Sequence, residues 1–257
     1  MYKQKSLFIT FEGIEGSGKS YQSKKLFKKI KKMGLRVIKT REPGGTINAE
    51  RIRKIILTDY FDSKNTEKFD KYTDTLLYLA ARNEHIKNKI KKSIFKKNIV
   101  ICDRFIDSTF AYQVYGKGVD SKLINIAHKY ILGSIKPDLT FILKTKISKA
   151  LKRLKKRKTK NRYDKFSKSF YVKVQAAFIK IAKQNKKRCI IIDNSNDDIT
   201  TEQKIFNKFL KVLNELKKKI LVKKLYKQKI NYVYMGIQNI LIHFLNFLLV
   251  KNYQILY

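Results

Sequence analysis

Eight residues near the start of the chain, residues 13–20, have the types and spacing of a phosphate-binding loop. They read G-I-E-G-S-G-K-S and match G-x-x-x-x-G-K-[ST] at every fixed position. The apolar run Leu7–Phe11 before this phosphate loop predicts a buried strand, and Tyr21–Lys32 after it predicts a helix. In that setting backbone N–H groups surround a phosphate chain at a helix N-terminus. Lys19 would then reach the β- and γ-phosphates, and Ser20 would coordinate Mg²⁺.

Two further polar groups follow predicted strands. Residues 40–46 read T-R-E-P-G-G-T, so Arg41 ends the second strand, and Asp103 with Arg104 ends the third. The carboxyl ends of parallel strands form the ligand crevice of open α/β folds. Arg41 therefore suits a second phosphate, although a surface arginine beside an ordinary turn is the alternative. Asp103 suits an acidic partner of Mg²⁺, or else caps the strand end, and Arg104 can neutralise phosphate charge.

Five short apolar runs must position these residues. The runs alternate with amphipathic helical stretches, which predicts an α/β fold with a five-stranded parallel sheet and helices on both faces. A surface helix over Ile205–Ile220 would close the domain. The predicted strands are Leu7–Phe11, Arg36–Thr40, Ile99–Cys102, Leu139–Leu143 and Cys189–Asp193.

The composition constrains the class of protein. The chain has 257 residues, 43% of them hydrophobic, with a formal charge of +40. This charge favours a nucleic-acid partner in principle. Lysine is, however, spread along the whole chain together with Ile, Asn, Phe and Tyr, so we favour a solvated lysine surface. Cys102 and Cys189 lie in apolar runs, which is typical of a reducing compartment and does not suggest a metal site or a disulfide.

The character of the chain changes near residue 217. We predict a catalytic domain over 1–216 and an extension of unknown role over 217–257. The extension begins with a lysine-rich stretch and continues with the apolar residues 232–257, which polar residues interrupt. A transmembrane span is disfavoured by those polar groups. An interfacial helix on a membrane is the alternative to a dispensable extension, which we favour.

Several motifs together resemble the thymidylate kinase family of bacterial type. They are the phosphate loop, T-R-E-P-G-G-T, D-R-F at 103–105 with Ser108, A-Y-Q at 111–113 and P-D-L at 137–139, in order from about residue 7 to 193. The resemblance implies a three-layer P-loop NTPase fold with a mobile lid over about 152–165. It also implies a cytoplasmic enzyme, often dimeric, that phosphorylates dTMP to dTDP with ATP and Mg²⁺.

The resemblance also implies residue roles on the dTMP side. Tyr78 takes the place of the aromatic that stacks on thymine, and Arg82, four residues later on the same helical face, bonds the base edge. On composition alone Tyr78 would more often be a core residue. Glu15 lies near the sugar 3′-hydroxyl, and Tyr112 crowds the 2′ position. The full dTMP set is Glu15, Arg41, Pro43, Tyr78, Arg82, Arg104, Ser108, Thr109, Tyr112 and Gln113.

The resemblance implies three catalytic residues: Lys19 and Arg157 act on the donor phosphates, and Arg104 acts on the acceptor phosphate. Ser20 and Asp103 form the expected metal site. Arg162 also falls among the lid arginines, and a solvated basic face is the alternative interpretation, above all for Arg153. The implied ATP-binding set is Gly13, Ile14, Glu15, Gly16, Ser17, Gly18, Lys19, Ser20, Arg153 and Arg157.

Three positions depart from the pattern of the family. Lys144 stands where an acid is common, Asn161 replaces an Asp, and Phe178 stands where a Tyr is common. None removes a principal substrate ligand. A kinase for another monophosphate and a nucleic-acid-binding protein are the rival functions, whereas a GTPase is disfavoured because no N-K-x-D guanine motif occurs.

Overall fold

The computed structural model describes residues 6–58, 68–156, 162, 166–196, 199–218 and 238. Within them lies one five-stranded sheet in which each strand is parallel to its neighbours, in the order β2-β3-β1-β4-β5. This confirms the predicted parallel sheet, with bounds that differ by a residue at some strand ends. The strands are β1 Leu7–Glu12, β2 Val37–Arg41, β3 Ile99–Asp103, β4 Leu139–Lys144 and β5 Cys189–Asp193.

Helices connect the strands and cover the sheet. Asp70, Asp120 and Ser167 cap three of them by accepting a bond from a backbone N–H in the first turn. Two π-helical segments, Ile86–Ile90 and Phe110–Gly116, continue α3 and α5, and residues 199–218 are helical. The helices are α1 Lys19–Lys32, α2 Ile47–Thr58, α3 Lys71–His85, α4 Lys91–Phe95, α5 Ile106–Thr109, α6 Ser121–Leu132, α7 Ile147–Lys155 and α8 Lys168–Gln184.

Both faces of the sheet are buried. In β1 the neighbours Phe8 and Ile9 point to opposite faces, yet they are only 1% and 0% exposed. Phe8 packs edge-on against Phe105, with ring centroids 4.9 Å apart. The continuous apolar composition of the strands follows from this two-sided burial, which is typical of a parallel sheet covered by helices.

The register of the sheet brings the polar strand ends together. Asp103 in β3 lies beside Phe11 of β1 on one side and beside Arg41 of β2 on the other. The phosphate loop follows β1 at this same edge and leads into α1, which begins at Lys19. The carboxyl edge of three neighbouring strands therefore carries the loop, Asp103 and Arg41.

The chain divides into two compact units, Met1–Lys208 and Phe209–Tyr257. The first unit contains the sheet and the candidate site. In the second unit the structure describes residues 209–218, which are helical, and Gln238. Among the described residues, no helix combines the length and the apolar character that a membrane crossing requires. The apolar run 232–257 lies outside the described residues, apart from Gln238.

Candidate active site

The phosphate loop folds around the side chain of its own lysine. Lys19 Nζ donates hydrogen bonds to the carbonyl oxygens of Gly13 and Ile14, at 3.0 and 2.7 Å. Gly16 has φ of 71°, and a Cβ there would lie 2.3 Å from the carbonyl oxygen of Ala150, so only glycine fits. Burial, followed by the charge of Arg104, lowers the pKa of Lys19 to about 8. An anion bound in the loop would therefore stabilise the charged form of Lys19.

Ser20 and Asp103 meet beside the phosphate loop. Ser20 Oγ donates to Asp103 Oδ2 at 2.5 Å, which joins the start of α1 to the end of β3. Magnesium is usually held by one or two protein oxygens together with water and substrate phosphates. A hydroxyl and a carboxylate at this place fit that requirement. Among the described residues, no cluster of three or more His, Cys, Asp or Glu could form a cage around a metal.

Arg153 and Asn194 support the outer side of the phosphate loop. Arg153, on α7, donates to the carbonyl oxygens of Gly16 at 2.9 Å and Asn194 at 3.1 Å. The Asn194 side chain in turn donates to Ser17 O at 2.7 Å. These contacts place a planar cation next to the loop. They border the Tyr21 cavity, of about 500 Å³, which is lined by Gly18, Tyr21, Gln22, Lys25, Arg153, Asn194, Ile199 and Glu202.

Arg104 links the phosphate loop to the segment Phe110–Gly116. Its Nη2 donates to Glu15 Oε1 at 2.6 Å, and its Nη1 donates to Gly13 O at 3.0 Å and to Ser108 Oγ at 2.9 Å. The guanidinium also lies over the Tyr112 ring, 5.1 Å from its centroid. The Tyr112 hydroxyl donates to Glu15 Oε2. Glu15, Arg104 and Tyr112 therefore form one connected group at the sheet edge.

Glu12 holds the backbone at Arg104 and was missed by the sequence analysis. Arg104 has φ of 72°, a left-handed conformation that is costly for a residue with a side chain. Glu12 accepts from the backbone N–H of Phe105 at 2.7 Å and from Ser108 Oγ at 2.6 Å. Burial, with a smaller contribution from the charge of Asp107, raises the pKa of Glu12 to about 7. The signal in the sequence that could have indicated Glu12 was an acidic residue directly after the apolar run of β1.

Arg82 is buried in a second cluster, 3% exposed. It donates from Nε to Glu42 Oε2 at 2.8 Å, from Nη1 to Thr109 Oγ1 at 2.6 Å and from Nη2 to Phe105 O at 2.9 Å. Its Nη1 also lies 2.8 Å from His128 Nε2. Because arginine only donates, His128 Nε2 accepts and the ring is neutral. Four of the five N–H groups are thus engaged, so the guanidinium is fixed in one orientation.

The partners of Arg82 are themselves held in place. Burial alone would raise the pKa of Glu42, but the Arg82 charge and a 3.0 Å hydrogen bond with His85 Nδ1 outweigh it and hold the pKa below its ordinary value. His85 Nε2 bonds Thr40 Oγ1 at 2.7 Å. Burial, together with the charge of Arg82, lowers the pKa of His128 to about 3. Glu42 and His128 were missed because nothing in their local sequence indicates a shared arginine.

Arg41 is the one exposed residue of the predicted dTMP set. Its side chain is 52% exposed, and Nη2 lies 3.0 Å from both carboxylate oxygens of Glu50 on α2. Glu50 also accepts from the backbone N–H of Gly45 at 2.8 Å. Arg53, a further residue that the sequence analysis missed, donates to Pro43 O at 2.8 Å. This turn therefore brings two arginines to the sheet edge.

The predicted dTMP residues occupy two adjoining spaces. Eight of them line the Arg82 cleft, together with Glu42: Pro43, Tyr78, Arg82, Arg104, Ser108, Thr109, Tyr112 and Gln113. The other two, Glu15 and Arg41, line the phosphate-loop cavity of about 490 Å³ with Lys19, Ser20, Asp103 and Arg153. Glu42, Pro43 and Arg104 border both spaces. The two spaces therefore adjoin along a shared wall between the phosphate loop and Arg82.

Of the predicted lid arginines Arg157 and Arg162, the structure describes only the second. Arg157 lies outside the described residues. Arg162 is 1% exposed and donates to Asp74 Oδ1 at 2.5 Å and to Ile56 O at 3.0 Å. The structure therefore places Arg162 in a buried ion pair, whereas the sequence suggested a position over ATP. Asp74 is paired with Arg162 because an unpaired carboxylate inside a protein is costly.

The structure describes two of the three positions that depart from the family pattern. Lys144 is exposed at the end of β4. Phe178 is buried on α8, and its ring centroid lies 6.1 Å from that of Tyr112. Asn161 lies outside the described residues.

Comparison with known proteins gives a consistent result. Residues 11–205 match the family model described as thymidylate kinase. The thymidylate kinase of Wolbachia pipientis wMel is 45% identical over 199 residues, covering 75% of this chain and 94% of that protein. That of Mycoplasma capricolum is 39% identical over 211 residues, covering 81% and 95%. The crystal structure of thymidylate kinase from Ehrlichia chaffeensis aligns with a TM-score of 0.64 at 37% identity, covering 81% and 99%.

Proposed function

Because the chain belongs to the thymidylate kinase family, whose members phosphorylate dTMP in the synthesis of dTTP, we propose that it takes ATP as donor and Mg²⁺ as metal. The observation that carries the proposal is that the phosphate-loop cavity and the Arg82 cleft adjoin, with Glu42, Pro43 and Arg104 lining both. ATP would lie with its phosphates in the loop and its base in the Tyr21 cavity, and dTMP would enter from the opposite side.

Lys19 and the arginines of the phosphate-loop cavity would contribute most to catalysis. Phosphoryl transfer needs alignment of the acceptor oxygen with the γ-phosphorus and screening of the equatorial oxygens. Lys19 acts on the donor phosphates, while Arg41 and Arg104 fix the phosphate of dTMP. Arg53 joins them, because it lines the same cavity. The phosphate of dTMP is already an adequate nucleophile, so no general base is required.

Ser20 and Asp103 are the residues that would hold Mg²⁺. When bound, the ion would supply positive charge to the phosphates of ATP. The Ser20 hydroxyl can keep donating to Asp103, because its oxygen still has lone pairs for a metal. Asp103 would contribute negative charge at the same place. On the donor side we also assign Arg153, and Arg157 from the sequence alone, to contacts with ATP.

Arg82 and Tyr78 would select thymine. The engaged guanidinium of Arg82 leaves one N–H for the base edge, and its fixed orientation makes the contact directional. Tyr78, one helical turn earlier on α3, supplies the aromatic face. The Arg82 cleft has a free volume of about 20 Å³. Entry of a base therefore requires the side chains around the cleft to move outward.

Tyr112 and Glu15 would read the sugar. The Tyr112 ring is 4% exposed, and its hydroxyl is fixed by Glu15. A rigid ring at the sugar position disfavours a 2′-hydroxyl, and the Glu15 carboxylate can accept from a 3′-hydroxyl. Ser108, Thr109 and Gln113 complete the set of contacts.

An ADP-release assay across nucleoside monophosphates tests this function. The enzyme should turn over dTMP with ATP and Mg²⁺ and should show little activity with AMP, CMP or GMP. Arg82→Met should raise KM for dTMP, whereas Lys89→Met, on the neighbouring Ile86–Ile90 segment, should not. Equal turnover of several monophosphates would favour the rival kinase function. Binding of DNA with a steep salt dependence and no monophosphate turnover would favour the nucleic-acid function.

We also propose a homodimer that works in the cytoplasm. The family resemblance suggests a dimer, and Ile55 on α2 and Tyr72 and Leu76 on α3 expose 48%, 41% and 53% of their surface. Leu76→Glu should shift the protein to a monomer in analytical ultracentrifugation; an unchanged mass would remove this surface from consideration.

Both cysteines are free and buried, which suits a reducing compartment such as the cytoplasm.

The domain organisation remains a proposal as well. We assign 1–216 to the kinase domain, with a lid over about 152–165, and 217–257 to an extension that catalysis does not need. We expect no specific nucleic-acid partner, since the lysines are dispersed, and no membrane attachment. Vesicles with anionic lipids that sediment the full chain but not residues 1–216 would overturn the last point.

A further inference from the structure

His128 is a buried titratable residue to which the proposed function gives no role. It lies on α6, is 6% exposed, and its Nε2 is 2.8 Å from Arg82 Nη1. Since arginine can only donate, Nε2 accepts, and the neutral ring carries its proton on Nδ1. Burial, followed by the charge of Arg82, lowers the pKa of His128 to about 3, so the ring stays neutral at physiological pH.

The contact with His128 determines which N–H groups of Arg82 are left for a ligand. Nη1 carries two N–H groups; Thr109 Oγ1 accepts one at 2.6 Å and His128 accepts the other. Glu42 accepts from Nε, and the carbonyl oxygen of Phe105 accepts from Nη2. Among the described residues this leaves one N–H, on Nη2, without an acceptor. Without His128 there would be two such groups, on different nitrogens.

A neutral acceptor suits this position because Arg82 already has a charged partner. Glu42 Oε2 lies 2.8 Å from Arg82 Nε, and both side chains are buried. A second carboxylate would add a buried negative charge that no cation compensates. A protonated imidazole would repel Arg82 and could not accept from it. The neutral ring of His128 therefore satisfies Nη1 without changing the net charge beside the Arg82 cleft.

His128 can reach the ligand only through a neighbouring side chain. None of the described residues that line the Arg82 cleft lies on α6. Besides Arg82, the ring of His128 meets Phe110, with centroids 5.7 Å apart and planes at 67°. Phe110 begins the segment Phe110–Gly116, which carries Tyr112. An effect of His128 on the cleft therefore passes either through Arg82 or through Phe110, and an experiment must separate the two.

We propose that His128 is a positioning residue for the binding of dTMP: by accepting from Nη1 it holds the guanidinium of Arg82 so that the remaining N–H of Nη2 faces the base. The inference rests on the proposed contact between Arg82 and thymine. A residue in this role sets the affinity for dTMP and leaves the transfer of the phosphoryl group unchanged. Its loss should therefore raise KM for dTMP, while kcat and KM for ATP stay the same.

Steady-state kinetics on variants of the full chain separate the hydrogen bond from packing. His128→Phe keeps an aromatic ring against Phe110 but cannot accept a hydrogen bond. His128→Gln loses the ring, but its amide oxygen can take the place of Nε2. KM for dTMP should rise about tenfold in His128→Phe and less than about threefold in His128→Gln. Lys129→Gln, at an exposed position of the same helix, is the control and should match the wild type.

A double-mutant cycle shows whether the effect passes through Arg82. Arg82→Lys keeps a positive charge beside Glu42 but has no Nη1 for His128. In that background His128→Phe should change KM for dTMP by less than about twofold. The full tenfold change there would show that His128 acts through Phe110, and the proposal would be wrong.

Two results with the single variants would also overturn the proposal: an unchanged KM for dTMP in His128→Phe, or a KM that His128→Gln raises as much as His128→Phe does. If His128→Phe does not fold, His128→Asn takes its place, because its amide oxygen is one methylene group too short to reach Nη1. Its KM for dTMP should then exceed that of His128→Gln about fivefold, and equal values would contradict the proposal. A wild-type KM for dTMP in Arg82→Lys would instead refute the proposed contact between Arg82 and thymine.

Discussion

The lowered pKa of Lys19 predicts a loss of catalytic efficiency in mildly alkaline solution. In the free enzyme, the pKa of Lys19 is lowered from an ordinary 10.5 to about 8, first by burial and then by the charge of Arg104. A lowered lysine pKa means that the neutral amine forms at lower pH than usual. Since only the ammonium can screen phosphate charge, the free enzyme should lose its competence for ATP as the pH rises through this value.

The size of the effect follows from the titration. With a pKa of about 8, roughly nine-tenths of Lys19 is charged at pH 7 and roughly one-tenth at pH 9. The value of kcat/KM for ATP should therefore fall about tenfold between these limits, because it reports the free enzyme. The phosphates of bound ATP raise the pKa of Lys19 again. The value of kcat should accordingly change little over the same range.

The assay is steady-state ADP release with ATP varied at each pH, at dTMP well below its KM for kcat/KM and at saturating dTMP for kcat. Lys19→Arg is the matched control, since a guanidinium stays charged throughout. It should be slower, but its kcat/KM should lack the alkaline decline. Glu12 titrates near pH 7, so Glu12→Gln checks that the decline belongs to Lys19. A flat wild-type profile, or the same decline in Lys19→Arg, would exclude Lys19 as the titrating group.

Three further predictions concern other parts of the molecule. The pKa of Glu12 is raised from 4.5 to about 7, so the native state loses stability as the pH rises between these values. The loss amounts to about 3 kcal/mol at most. Chemical denaturation should show that Glu12→Gln removes this part of the pH dependence. Arg41→Ala should lower kcat/KM for dTMP by at least a hundredfold while Lys39→Ala, on the same strand, stays near wild type; equal effects would exclude a specific phosphate contact. A chain ending at residue 216 should keep its dTMP kinase activity, and an inactive but folded truncation would show that the extension is required.

The sequence could predict the sheet and the members of the site because each motif directly follows a strand. Parallel strands end at the same edge, so Arg41, Asp103 and the phosphate loop had to lie near one another. Tyr78 and Arg82 were predictable as a pair from their helical spacing. The starting residue of α1 was less predictable, since the helix already begins at Lys19 and includes the end of the loop.

The supporting residues could not be predicted because their partners are distant in the chain. Glu12 meets Phe105 across 93 positions, and Glu42 meets Arg82 across 40. Arg162 illustrates the same limit in a basic segment. Nothing in the local sequence distinguishes a cation that faces a nucleotide from one that neutralises a buried acid such as Asp74. That choice depends on which carboxylate the fold buries nearby.

A crystal structure with dTMP, a non-hydrolysable ATP analogue and Mg²⁺ would show whether both nucleotides occupy the two adjoining spaces. The thymine should lie between Tyr78 and Arg82, and the dTMP phosphate should contact Arg41 and Arg104. An oxygen of that phosphate should lie about 3–3.5 Å from the γ-phosphorus held by Lys19. An Arg82 cleft that holds no part of dTMP, or phosphates too far apart to react, would contradict the proposed arrangement.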